Sequence, residues 1–193
     1  MIPVALQPEP DDFKALVREP SSVPLDEYKK GKRKKLPALW TRCIPQMRQL
    51  YKSVCSYSAV YISPLESASV DHFIPKSVNP DRAYDWDNYR LSFSRLNSRK
   101  KDFQDVLDPC NIKPGWFVLN LTTMKISSAD NKDVPKREIQ ATINRLKLDD
   151  RMCRNAREMY YNLYVKGMAF ADLQKLSPFV AFEVERQGLK RAE

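Results

Sequence analysis

Apolar side chains recur every three or four residues along most of the chain after residue 134. This spacing is typical of amphipathic helices, and it predicts four of them, over residues 136–146, 150–165, 170–176 and 179–187. On the second of these helices the apolar positions form one stripe, made of Met152, Ala156, Met159, Tyr160 and Leu163. Such a stripe indicates a face that packs in the core or against a partner.

The rest of the chain mixes extended and helical patterns. Residues 1–24 are rich in proline, so we expect an extended arm there with one short helix over residues 11–18. Pro37 suits the first position of a helix, and Pro45 should kink that helix. Further short patterns predict strands over 59–62, 69–74 and 89–91, a basic helix over 94–103, and a hairpin over 116–121 and 125–127. The predicted fold class is α+β.

The charge favours a polyanionic partner. The chain carries 33 Lys and Arg against 24 Asp and Glu, a net charge of +9, and binding to phosphates by such a protein is driven by counterion release. One basic cluster spans residues 29–35, and a second spans residues 95–101. For the first cluster, phosphate binding and a solvated linker both stay open.

The sequence also indicates the cellular compartment. No apolar run is long enough to span a membrane, and residues 1–10 lack the pattern of a signal peptide, so we expect a cytoplasmic protein without membrane contact. The cysteines are scattered and form no CxxC pair, which predicts free thiols: Cys43, Cys55, Cys110 and Cys153.

Candidate chemistry is concentrated in about thirty residues. The single histidine, His72, follows Asp71, and the segment continues to Asn88 and then to Asn97, Arg99, Lys100 and Lys101. Each residue alone has an ordinary structural explanation, but together they match what phosphodiester hydrolysis requires. His72 is the only imidazole, with an ordinary pKa of about 6.5, that can act as a general base. The oxygens of Asp71 and Asn97 suit a hard divalent cation.

This order of residues resembles the HNH, or ββα-metal, nuclease family. The resemblance implies that His72 is the catalytic base, that Asp71 and Asn97 bind Mg²⁺ or Mn²⁺, and that Asn88 braces the loop and orients the base. It also implies phosphate contacts from the neighbouring cations, namely Lys76, Arg95, Arg99, Lys100 and Lys101. Adjacent Asp71 and His72 point to opposite faces of a strand, so they can act together only where the strand ends or bends.

Many relatives carry two CxxC pairs that bind a structural zinc. The corresponding positions here hold Cys55 with Ser58, and Phe93 with Leu96. With one thiol out of four, we expect no structural zinc, a buried Cys55 and apolar packing by Phe93 and Leu96.

With the resemblance, the chain divides into an extended arm (1–36), a helix packed on the core (37–54), a nuclease core (55–105) and a hairpin with helices (106–193). More distantly, it resembles stand-alone bacterial HNH proteins of Septu-type and retron-linked anti-phage defence. That likeness implies a DNA endonuclease in a defence system, with a large ATPase subunit as a partner docked on the arm and the C-terminal helices.

Three alternatives stay open. In the first alternative the chain is an RNA-directed HNH nuclease, since DNA and RNA offer the same phosphate and the site does not distinguish them. It is a nucleic-acid-binding module that does not cleave. Or it is an interaction protein in which the Asp71-His72 pair is incidental, in which case the replacement of His72 by alanine leaves its biological effect intact.

Overall fold

The computed structural model describes residues 1–191, which form an α+β fold with seven α-helices and two small antiparallel sheets. In chain order the elements are α1 (Glu19–Lys29), α2 (Ile44–Leu50), β1 (Ala68–His72), β2 (Tyr89–Phe93), α3 (Ser94–Lys100), β3 (Phe117–Leu119), β4 (Ile126–Ser128), α4 (Lys136–Leu146), α5 (Arg151–Val165), α6 (Phe170–Leu176) and α7 (Pro178–Arg186). Across residues 1–191, no helix has both the length and the apolar character needed to cross a membrane.

Strands β1 and β2 pair antiparallel, and α3 follows β2 without a connecting loop. In this register Asp71 lies opposite Arg90, and His72 lies opposite Tyr89. The helix packs back on β1, with Leu96 buried against the sheet. The end of β1 and the face of α3 therefore lie side by side, which positions the candidate site.

The predicted strand over residues 59–62 is wrong. The segment forms a narrow turn instead, in which a single bridge joins Val54 and Tyr61 and the Ala59 backbone has a φ of 52°. The backbone N–H of Ser56 donates to the carbonyl of Leu91 at 2.8 Å. The turn is thus held against β2, and it carries Tyr57 into the core.

The prediction of an extended arm over residues 1–36 is wrong for its second half. A π-helical turn over Lys14–Arg18 continues directly into α1, which contains Pro20 in its first turn and Pro24 in its interior. The residues before this turn are extended but lie on the core, since the Trp86 indole N–H donates to the carbonyl of Gln7 at 2.8 Å. The arm is therefore part of the folded body.

The four segments of the sequence-based division share one hydrophobic core, which contains Phe13, Met47, Leu91 and Val184 among others. Helices α4 to α7 lie within two residues of their predicted positions. The apolar stripe on α5 faces outward in part: Met152, Met159 and Leu163 are exposed, and the first two line a groove of about 530 Å³ together with Phe93 and Arg95.

Phe13 tests whether the N-terminal segment stabilises the fold. Its ring is buried and meets the rings of Trp86 and Tyr89 edge to face, at 5.5 and 5.9 Å. We expect Phe13→Ala to lower the free energy of unfolding by about 3–5 kcal/mol, because it leaves a cavity among aromatic rings. Urea denaturation measures this change. Val23→Ala, at an exposed position of α1, is the control and should change stability by less than about 0.5 kcal/mol. Equal stability of the two variants would show that the N-terminal segment does not dock.

Candidate functional site

A cleft of about 490 Å³ opens where β1 ends beside α3. It brings together three residues that the sequence analysis singled out, Asp71, His72 and Asn97. Three stretches of chain line it: residues 28–40, residues 69–77 and residues 97–102. The strand ends at His72, so two adjacent residues whose side chains point to opposite faces both reach the same cleft.

The Asp71 carboxylate is buried and bonded at both oxygens. Its Oδ2 accepts a hydrogen bond from the Tyr57 hydroxyl, and its Oδ1 accepts one from the Lys100 ammonium at 3.2 Å. Asp71 is 1% exposed and Lys100 is 0% exposed. Burial raises the pKa of the Asp71 carboxyl, while Lys100 and Tyr57 oppose that rise. Each carboxylate oxygen keeps lone-pair capacity for a further partner.

His72 is held by a backbone carbonyl and two aromatic rings. Its Nε2 lies 2.9 Å from the carbonyl oxygen of Ala83, and because a carbonyl only accepts, Nε2 carries the hydrogen. Its ring meets those of Trp40 and Tyr89 edge to face, at 4.6 and 5.3 Å. Nδ1 is therefore the nitrogen with a free lone pair, in a ring whose orientation is fixed.

Burial among these rings lowers the pKa of His72 from 6.5 to about 4. The hydrogen bond to Ala83 opposes this effect, and the charges of Lys76 and Lys100 add to it. The imidazole is consequently neutral at pH 7 and able to accept a proton.

Asn88 fastens the loop that follows His72. Its Oδ1 accepts from the backbone N–H of Ile74 at 2.7 Å, and its Nδ2 donates to the carbonyls of Ile74 and Arg82 at 3.0 and 2.9 Å. Its side chain bonds to the backbone of this loop rather than to His72 itself. One of its bonds is to Arg82, the residue before Ala83, and the carbonyl of Ala83 contacts the imidazole.

Asn97 lines the cleft, and its amide nitrogen is already bonded. Its Nδ2 donates to Ser69 Oγ at 2.6 Å and to the carbonyl of Val70 at 3.1 Å. Both amide hydrogens are thereby used, and within residues 1–191 no donor is hydrogen-bonded to Oδ1. The carbonyl of Val70 also fixes which end of the amide faces it, since an oxygen there would meet another acceptor.

The predicted phosphate contacts divide into three groups. Lys76 and Lys101 are exposed and line the cleft. The predictions for Lys100 and Arg99 are wrong for this structure: Lys100 is buried on Asp71, and Arg99 is bonded to the carbonyl of Leu146 and to Asp150, where it joins α3 to the corner between α4 and α5. Arg95 is exposed but lies at the groove beside α5, away from the cleft.

The structure adds residues that sequence reasoning missed. Tyr57 contacts Asp71, and Trp40 contacts His72. Each pair is far apart in sequence, and no local pattern indicated either contact. The lining also includes Lys34 and Lys35. These two belong to the basic cluster whose role the sequence left open, so the signal was present but could not be located in space.

The donor types in the cleft fit a hard divalent cation. A carboxylate and a free amide oxygen are the ligands that Mg²⁺ and Mn²⁺ prefer, with water or phosphate at the other positions. The Lys100 ammonium is bonded to the same carboxylate, so a bound cation would share Asp71 with it. Among residues 1–191 no three His, Cys, Asp or Glu side chains are grouped to hold a metal. The cleft offers one aspartate and one asparagine instead.

No protein-family model matches the chain, and none of the curated proteins is significantly similar to it.

The ion pair between Lys100 and Asp71 predicts a large stability effect. We expect Lys100→Met to lower the free energy of unfolding by about 3–5 kcal/mol, because Asp71 would lose its counter-charge in a buried site. Lys101→Met is the matched control: the neighbouring lysine is exposed, and its loss should change stability by less than about 0.5 kcal/mol. Denaturant unfolding of both variants measures the difference. A Lys100→Met protein as stable as the control would mean that the ammonium lies in solvent.

The single histidine makes its environment directly measurable. In metal-free protein, we expect the His72 resonance in NMR to titrate with a pKa of about 4 and to show hydrogen on Nε2 but not on Nδ1. The unfolded chain binds this proton more readily, so the stability contributed by neutral His72 is complete above pH 6.5 and is lost as the pH falls toward 4. A midpoint near 6.5, or the opposite tautomer, would contradict the burial and the contact with Ala83.

Proposed function

We propose that this protein is a metal-dependent endonuclease of the HNH kind, which hydrolyses phosphodiester bonds in nucleic acid, with DNA as the preferred substrate. The observation that carries the proposal is the meeting of His72, Asp71 and Asn97 in one cleft, at the junction of β1, β2 and α3. The order of two antiparallel strands followed directly by a helix supports a ββα core, and each residue has the atom that the reaction needs.

Asp71, through its carboxylate, and Asn97, through Oδ1, are the residues that would hold Mg²⁺ or Mn²⁺. When bound there, the cation would supply positive charge next to the phosphate, which stabilises the charge that develops on the transferring group and on the leaving oxygen. Tyr57 and Lys100 keep the Asp71 side chain in one position through bonds to both of its oxygens.

His72 is the proposed general base. Neutral at pH 7 and with Nε2 protonated by its bond to Ala83, it would accept a proton from water at Nδ1. The resulting hydroxide would attack phosphorus, and the bond from phosphorus to the 3′ oxygen would break. A phosphate in the cleft would stabilise the imidazolium, which offsets the cost that burial places on this charge.

Asn88 and the exposed lysines have supporting roles in this proposal. Asn88 fixes the loop that carries Ala83, and so maintains the tautomer and orientation of His72. Lys76 and Lys101 lie at the cleft, where they would hold the phosphates beside the bond that is cut.

One observation favours a second candidate, a nucleic-acid-binding module that does not cleave. Both oxygens of Asp71 are already bonded, and its carboxylate has a protein cation beside it. If Lys100 holds that carboxylate too firmly, the divalent cation does not bind. Manganese binding therefore separates the two candidates, independently of any cleavage assay.

Cleavage of supercoiled plasmid with Mg²⁺ or Mn²⁺ tests the proposal. We expect the purified protein to nick the plasmid, EDTA to abolish nicking, and His72→Ala to lower the rate at least about 100-fold, because the base is removed. His72→Ala should retain Mn²⁺ binding, measured by electron paramagnetic resonance, whereas Asn97→Ala should weaken it, because an oxygen ligand is removed. Lys132→Ala, at an exposed residue outside the lining of the cleft, is the control and should cut like the parent.

Two outcomes would change the conclusion. A folded protein that binds nucleic acid but neither Mn²⁺ nor Mg²⁺ is the non-cleaving module. A protein that binds Mn²⁺ and cuts RNA but not plasmid keeps the chemistry and changes the substrate to RNA.

A further inference from the structure

The basic cluster at residues 29–35 is not uniform in its surroundings. Three of its cations are paired with carboxylates: Lys29 with Asp81, Lys30 with Asp26, and Arg33 with Glu27, at 2.6–2.8 Å. Lys34 and Lys35 are exposed and have no ion pair among the described residues. They are also the members of the cluster that line the cleft containing His72.

The segment that carries these two lysines is anchored at both ends to the loop that positions the base. On one side Lys29 pairs with Asp81, and on the other the hydroxyl of Tyr84 donates to the carbonyl of Pro37 at 2.8 Å. Asp81 and Tyr84 flank Ala83, whose carbonyl binds His72. These two contacts connect the segment of Lys34 and Lys35 to the loop that holds the imidazole, although the two lie far apart in sequence.

The lining of the cleft carries more positive than negative charge. Its lining contains four lysines, Lys34, Lys35, Lys76 and Lys101, and two aspartates, Asp71 and Asp102. Asp71 is already paired with the buried Lys100. The lining thus has an excess of positive charge without a protein partner, and half of its lysines come from the N-terminal segment.

We propose that Lys34 and Lys35 form a second phosphate-binding surface, which holds the backbone of the same nucleic-acid strand that Lys76 and Lys101 contact. This inference rests on the proposed function, because it assigns a polynucleotide to the cleft. Lysine is a compact point charge that binds phosphate without reading sequence, so the surface contributes affinity and orientation. The three cations of the cluster that are paired with carboxylates, Lys29, Lys30 and Arg33, contribute little.

The salt dependence of binding tests this assignment. Labelled single-stranded DNA and RNA oligonucleotides of the same sequence are titrated by fluorescence anisotropy in EDTA, so that binding is measured without cleavage. For Lys34→Gln/Lys35→Gln, we expect the slope of log affinity against log salt to fall by about 1.4 units in magnitude, roughly 0.7 for each phosphate of a single strand that a lysine no longer neutralises. The DNA and RNA arms show which backbone is held more tightly.

A second double variant, Lys113→Gln/Lys132→Gln, is the matched control. Both lysines are exposed, lie outside the cleft and have no ion pair within residues 1–191, so the variant removes the same charge from elsewhere on the surface. Its slope should equal that of the parent. Equal slopes for the two double variants would overturn the inference, because net charge alone would then explain binding.

The two experiments distinguish a failure of the phosphate-binding surface from a failure of the proposed nuclease function. If the parent cuts plasmid but Lys34→Gln/Lys35→Gln keeps the full slope, the nuclease stands and the second surface is wrong. If the slope falls as expected but no divalent cation supports cleavage, the surface stands and the protein is a binding module. If the parent binds neither oligonucleotide, the surface is wrong whatever the cleavage result.

Discussion

The burial of the Asp71 carboxylate is the constraint on which the arrangement of the cleft depends. A carboxylate removed from water needs partners for its charge, and Lys100 and Tyr57 provide them. Lys100 comes from α3 and Tyr57 from the turn after α2, so this one charge joins three parts of the chain. Asn97 lies three residues before Lys100 and thus on the same side of the helix, which brings its amide to β1.

The two residues at the end of β1 are adjacent in sequence but lie in opposite electrostatic environments. Asp71 is buried beside an ammonium, whereas His72 is buried between aromatic rings and bonded to a carbonyl. Burial raises the pKa of the Asp71 carboxyl, which Lys100 and Tyr57 oppose, and burial lowers the pKa of the His72 imidazole. A carboxylate donor with an ammonium beside it and an imidazole that is neutral at pH 7 therefore lie next to each other, which is the combination that the proposed hydrolysis by activated water requires.

The parts of the structure set by local pattern were predictable, and the parts set by distant contacts were not. Helices α4 to α7 follow from the spacing of apolar residues. The prolines of the N-terminal segment suggested an extended arm, although Pro20 and Pro24 lie within α1 and Phe13 packs on Trp86. The basic run after Asn97 suggested an exposed surface. Yet Lys100 lies four residues after Leu96, on the buried side of the same helix. The positions in space of Asp71 and of the backbone carbonyl of His72, to which the ammonium donates at 3.2 and 2.8 Å, explain why a lysine is buried there.

Net charge is a poor guide to the binding surface because much of the positive charge is used inside the fold. Arg90 binds Asp108 through two hydrogen bonds, Arg99 binds Asp150, and Arg157 binds carbonyls of Met124 and Leu148. These cations link parts of the chain that no long paired strands hold together. A partner meets only those that remain exposed and unpaired. Since four such lysines lie around His72, the location of the cations, more than their number, supports a polynucleotide in this cleft.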